Sequence, residues 1–159
     1  MLWALGMELM YTKEFQLRKT SEEASANELL NSIASELKKH KPRSIDQKES
    51  SVHFSAGVFR LVFNWNILVP ITSGTIKFKE GEPSLVYTLS FKELMIFGVV
   101  ATIFIVAVPL ASGAPLAILF VAPILVWGWL VGMNFILSIS RFGSLIKKCI
   151  KGSFYEIIK

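Results

Sequence analysis

The 159-residue chain has one cysteine, Cys149, and two histidines, His40 and His53. A single thiol excludes an intrachain disulfide and a cysteine-based metal knuckle. The histidines stand apart in sequence, with no partner at metal-ligand spacing, so no zinc site is expected. No nucleophile elbow, phosphate-cradling glycine loop, dinucleotide fingerprint or HExxH helix is present. No cofactor or metal is expected, and no paired titratable groups stand out as an acid–base couple. The chain therefore reads as a non-enzyme.

The most informative absence is charge. Residues 94–140 contain no Asp, Glu, Lys, Arg or His, an uninterrupted 47-residue stretch. A bilayer hydrocarbon core about 30 Å thick accepts roughly 20 helical residues per crossing. One crossing leaves too much apolar chain, whereas two crossings and a tight tip account for all of it. Backbone groups in hydrocarbon must bond within their own segment, so helices are required. The expected transmembrane hairpin has arms at 94–110 and 116–139. The segment Ala111-Ser112-Gly113-Ala114-Pro115 supplies the turn. A re-entrant hairpin is the alternative, and the length of each arm favours full crossing.

Basic residues are unevenly placed. Residues 1–93 hold 12 Lys/Arg and 11 Asp/Glu, while residues 141–159 hold five basic residues and one acid, Glu156. Lys92 precedes the hairpin, Arg141, Lys147, Lys148 and Lys151 follow it, and the tip carries no charge. By the positive-inside rule both termini are cytosolic, and a bacterial inner membrane is the expected location. Residues 1–10 are apolar but lack a basic leader and a cleavage site, so they do not read as a signal peptide. A basic tail directly after an apolar helix points to anionic lipid headgroups rather than to nucleic acid. The expected headgroup contacts are Arg141, Lys147, Lys148 and Lys151.

The first 93 residues carry the periodicities of a small α+β domain. Leu9, Tyr11, Phe15 and Leu17 alternate as in a half-buried strand. Thr20 and Glu23 have capping-box spacing and predict a helix start. Ala26, Leu29, Leu30, Ile33, Ala34 and Leu37 then form one apolar stripe that ends before Pro42. Residues 45–49 read as a polar connection. Strands are expected at Val52–Phe54, Phe59–Trp65, Thr75–Lys79 and Leu85–Phe91, with the span 58–69 alternatively lying at the membrane surface. The order is β-α-β-β-β-β, an antiparallel sheet with one helix over it. Residues 141–159, with Phe142, Leu145, Ile146, Cys149, Ile150, Phe154, Ile157 and Ile158 on one face, predict a basic amphipathic helix in the headgroup plane, with packing of the same face on the soluble domain as the alternative. The expected domains are thus 1–93, 94–140 and 141–159.

Within the hairpin, Gly128 and Gly132 form a GxxxG pair that lets another helix backbone approach closely. Trp127 and Trp129 flank the first of these glycines, away from an interfacial belt. Asn134 is a polar group in the second arm. These five residues form the expected helix-packing site, which serves either the hairpin's own seam or contact with another molecule. The functional expectation is a membrane protein acting through protein contacts, as a homo-oligomeric scaffold or an accessory subunit of a membrane complex. A membrane-perturbing effector or pore with a cytosolic sensing domain is the second reading. A membrane-anchored lipid-binding module is the third.

Overall fold

A computed structural model describes residues 9–22, 25–56, 68–79, 81, 83–113 and 115–158. The chain is α+β. Strand β1 (Met10–Lys19) is followed by α1 (Ala26–Lys39), β2 (Ser44–Lys48), β3 (Ser51–Ser55), β4 (Ser73–Lys79) and β5 (Ser84–Ser90). Helices α2 (Lys92–Ala111) and α3 (Leu116–Trp127) come next. A π-helical segment (Gly128–Met133) leads directly into α4 (Asn134–Lys151), and β6 (Tyr155–Ile157) closes the chain. The six strands form one sheet in the order β2-β3-β4-β5-β1-β6, with every neighbouring pair antiparallel.

Alternation dictates which face of the sheet is covered. In β4, Gly74, Ile76 and Phe78 are buried while Lys77 and Lys79 are exposed. In β5, Leu85, Tyr87 and Leu89 are fully buried. Successive side chains of a strand point to opposite faces, so these residues line one apolar surface. Over that surface lie α1, contributing Leu29, Leu30, Ile33, Ala34 and Leu37, and α4, contributing Phe142, Leu145, Ile146, Cys149 and Ile150. Phe142 stacks on Phe54 at 5.7 Å and tilts against Tyr87 at 5.2 Å. Gly74 is a packing requirement, because a Cβ there would lie 2.5 Å from the Phe54 ring.

Four expectations need correction. The helix does not start from the Thr20 box: its N-cap is Ser25, which makes no side-chain cap bond. The Thr20 amide instead donates to the Phe154 carbonyl at 3.0 Å, a long-range bond that local spacing cannot reveal; Glu23 lies outside the described residues. Residues 45–49 are not a plain connection, because Ser44–Lys48 is a paired strand. It reads as polar because it is a sheet edge, where charged and polar side chains discourage further pairing. The second arm does not stop at 139, since helix continues through the π segment to Lys151. Finally, residues 141–159 are not an amphipathic helix in the headgroup plane. The apolar face of α4 is buried on the sheet, the helix ends at Gly152, and Tyr155–Ile157 pairs with β1. A hydrophobic stripe records that a face is buried and leaves its partner open. The expected strand Phe59–Trp65 and residues 1–8 lie outside the described residues.

Two outcomes follow from this core. Phe142→Ala is expected to cost about 3–5 kcal/mol of stability, the range for a truncated buried aromatic. Urea unfolding of the solubilised chain checks this; a loss below about 1 kcal/mol, the surface range, would mean α4 is not packed on the sheet. Tyr87 supplies the second. Its hydroxyl is buried and has no hydrogen-bond partner among the described residues. Burial, and then neighbouring Tyr11, raise its phenol above the ordinary 10.0. A raised folded-state pKa stabilises fully below the unfolded value and is lost as pH rises past it. Melting temperature should therefore fall above about pH 10, and Tyr87→Phe should remove part of that fall without loss at neutral pH.

Candidate helix-contact and membrane site

Two helices are long and apolar enough to cross a membrane, Lys92–Ala111 and the continuous helix from Phe120 to Lys151. Twenty residues of α2 reach about 30 Å at 1.5 Å per residue. Ile103, Phe104, Val108, Phe120, Ile124 and Leu125 are exposed large apolar side chains. The arms pack on each other and leave most of their circumference bare, unlike a core helix of a water-soluble fold.

The seam between the arms is narrow. Gly98 of α2 is buried, and a Cβ at that position would lie 2.6 Å from Val131 Cγ2 and 3.5 Å from the Trp127 ring. Glycine therefore sets the distance between the arms, with Val131 seated on its bare backbone. Trp127, one of the expected packing residues, belongs to this seam. Gly128 and Gly132 do not: a Cβ at either meets nothing within 4 Å among the described residues. Trp129 is 73% exposed. The GxxxG pair thus lies away from the hairpin's own contact, and the π-helical segment spans both of its glycines. Segments of π-helix are uncommon and concentrate where a helix serves a special packing or functional need.

Asn134 turns its amide inward along its own helix, donating to the Leu130 carbonyl at 2.6 Å, and Ser138 donates to the Asn134 carbonyl at 2.5 Å. Thr102 donates to Gly98 in the same manner at 2.8 Å. These three polar side chains are thereby bonded within their own helices, as a low-dielectric surrounding favours.

The junction between hairpin and sheet is stiff. The Phe91 amide donates to the Leu9 carbonyl at 2.9 Å, and the Glu93 amide donates to Thr72 Oγ1 at 3.0 Å. The Thr72 hydroxyl thus caps the start of α2 from a different loop. On the other arm, Phe135 meets Phe91 edge-on at 4.8 Å and Tyr11 at 6.4 Å. Both arms are therefore tied to the sheet within about a turn of leaving it. Thr72, Gly98 and Phe135 were not identified from the sequence. A glycine in an otherwise bulky apolar helix was the only available signal, and only for Gly98.

The four expected headgroup cations separate. Arg141 is half-exposed near the hairpin end of α4, whereas Lys147, Lys148 and Lys151 are exposed towards its far end. Ten residues of helix put about 15 Å between Arg141 and Lys151. Lys148 reaches Glu36 of α1 at 3.4 Å, and Lys39 also binds that carboxylate. The hydrogen bond from Lys39 holds the Glu36 carboxyl below its ordinary range, and Lys148 adds to the effect. His53 Nδ1 lies 2.9 Å from Thr75 Oγ1 on the open face of the sheet. Among the described residues, no group of three or more His, Cys, Asp or Glu side chains converges as a metal site would.

Gly98→Ile is expected to force the arms apart and cost about 1–3 kcal/mol, the range for overpacking. Thermal unfolding in detergent reads this, and an unchanged midpoint would show that the Gly98–Val131 contact does not set the seam. No family model matches the chain, and comparison with curated proteins and with solved structures likewise finds no match.

Proposed function

We propose that the chain is a non-enzymatic integral membrane protein that works by self-association of its hairpins in the bilayer. The α2–α3 hairpin crosses the membrane, with both termini and the sheet on the cytosolic side. The observation that carries this reading is the division of labour among glycines. Gly98 closes the hairpin's own seam, while Gly128 and Gly132 have nothing within 4 Å among the described residues. Lipid tails are as apolar as leucine, so helices associate in a bilayer through close packing, and small residues permit the closest approach. The exposed Trp129 beside this pair adds contact area. An accessory role in a heteromeric membrane complex would use the same surface.

The test exploits the open space. Gly128→Ile/Gly132→Ile adds bulk where the single chain has room, so monomer stability should change little. Native mass spectrometry of wild-type protein gently extracted from membranes is expected to show a defined homo-oligomer, and the double variant a monomer. A strictly monomeric wild type would overturn the reading. A heteromeric peak would replace self-association with the accessory role. Release of the chain from membranes by alkaline carbonate would refute the crossing hairpin itself.

A further inference from the structure

The connection between α1 and β2 carries the basic run Lys38-Lys39-His40-Lys41-Pro42-Arg43, which by sequence alone reads as a solvated helix end, with contact to phospholipid headgroups as the alternative. Strand register gives it a specific height. The Arg43 amide donates to the Ser55 carbonyl at 2.8 Å, the Ala56 amide to Thr72 at 2.9 Å, and the Thr72 amide to Ser90 at 2.8 Å. Thr72 in turn caps α2 through the Glu93 amide. Ser44, Ser55, Ser73 and Ser90 are register partners across four strands. This unbroken line of hydrogen bonds brings Arg43 and its loop to the same end of the sheet as Lys92, where the hairpin leaves the domain.

The backbone of that loop has an unusual feature. Lys41 has φ 51°, the only positive value recorded for a non-glycine residue among the described positions. Its amide donates to the Lys38 carbonyl at 3.0 Å, closing the end of α1. Glycine is the ordinary residue at such a helix end, because a Cβ is disfavoured in the left-handed region. A lysine there gives up backbone ease for a cation at the sheet end nearest the hairpin. Glu36, in the last turn of α1, is engaged by Lys39 and Lys148, and Glu93 stands in the first turn of α2.

We propose that Lys41 and Arg43, together with Lys92, form a binding site for the anionic headgroups of the phospholipids around the hairpin. The site rests on the membrane reading above and replaces Lys147 and Lys151 as the headgroup contact, while Lys148 is held with Lys39 on Glu36. Cations held at a bilayer surface attract anionic lipid, and the attraction fades within a Debye length, about 8 Å at physiological salt. Height above the membrane therefore decides which lysines take part. The hydrogen-bonded strands hold Arg43 level with the start of α2, while α4 carries Lys151 away from the hairpin.

The test uses the full chain in mild detergent, with short-chain phosphatidylglycerol or phosphatidylcholine added, and bound lipid read by native mass spectrometry. Phosphatidylglycerol should bind more tightly than phosphatidylcholine. Lys41→Gln/Arg43→Gln should weaken it by about five-fold per charge removed, and Lys147→Gln/Lys151→Gln should leave it unchanged. Lys41→Gly should raise the melting temperature while weakening phosphatidylglycerol binding; a purely structural loop would not lose binding as it gained stability. Full affinity in the loop variant, or loss in the control, would overturn the site. Competition by inorganic phosphate at equal concentration would also overturn it, by making free phosphate the ligand. Carbonate extraction separates these outcomes from failure of the membrane reading, because a chain released from the membrane fails that test whatever its lipid preference.

Discussion

Phe142 lies between Phe54 and Tyr87, and much of the architecture depends on that contact. It presses α4 onto the sheet, and α4 is the continuation of the second hairpin arm. The first arm grows from β5, a central strand of the same sheet. Both roots of the hairpin are therefore seated in one hydrophobic core, with Phe135 wedged against Phe91 between them. A hairpin attached at one root would swing, whereas one attached at two has its direction set by the domain. Packed interiors tolerate little deformation, so a change in the sheet reaches the hairpin as a rigid displacement.

Glycine positions organise the apolar arms in the same economical way. Gly98 removes a side chain where the arms must touch, and Gly128 and Gly132 remove side chains where the second arm meets nothing among the described residues. The two kinds of glycine look alike in sequence. Only the partner across the gap separates a seam within one molecule from a surface available to another. The intrahelical bonds of Asn134, Ser138 and Thr102 complete the picture, since they hide polarity that hydrocarbon would not accept.

Several elements are legible in the sequence itself. The stripe from Ala26 to Leu37 read as a helix, and the alternation of residues 75–79 and 85–91 read as paired strands, because local periodicity follows directly from burial on one side. The apolar arms were legible for the same reason. Edge strand β2 was hidden, since an edge presents polar residues and lacks the pattern of a core strand. The start of α1 was misplaced because Thr20 bonds to a chain segment more than 130 residues away. The most consequential choice that sequence left open concerned residues 141–159. Their amphipathicity was clear, but a membrane surface and a sheet face present the same demand to a helix. The distance of Lys147, Lys148 and Lys151 from the hairpin likewise depends on which way α4 runs.

Sequence by itself determined that residues 94–140 form apolar helices with a tight tip, that the preceding residues build strands around one amphipathic helix, and that charge gathers beside the apolar stretch. These are consequences of solvent and periodicity, which act locally along the chain. Tertiary structure alone decided what the apolar face of α4 covers, which glycine closes the hairpin, and which cations stand level with its roots. Each of those depends on residues far apart in sequence meeting across the sheet, and one-dimensional spacing does not encode the partner.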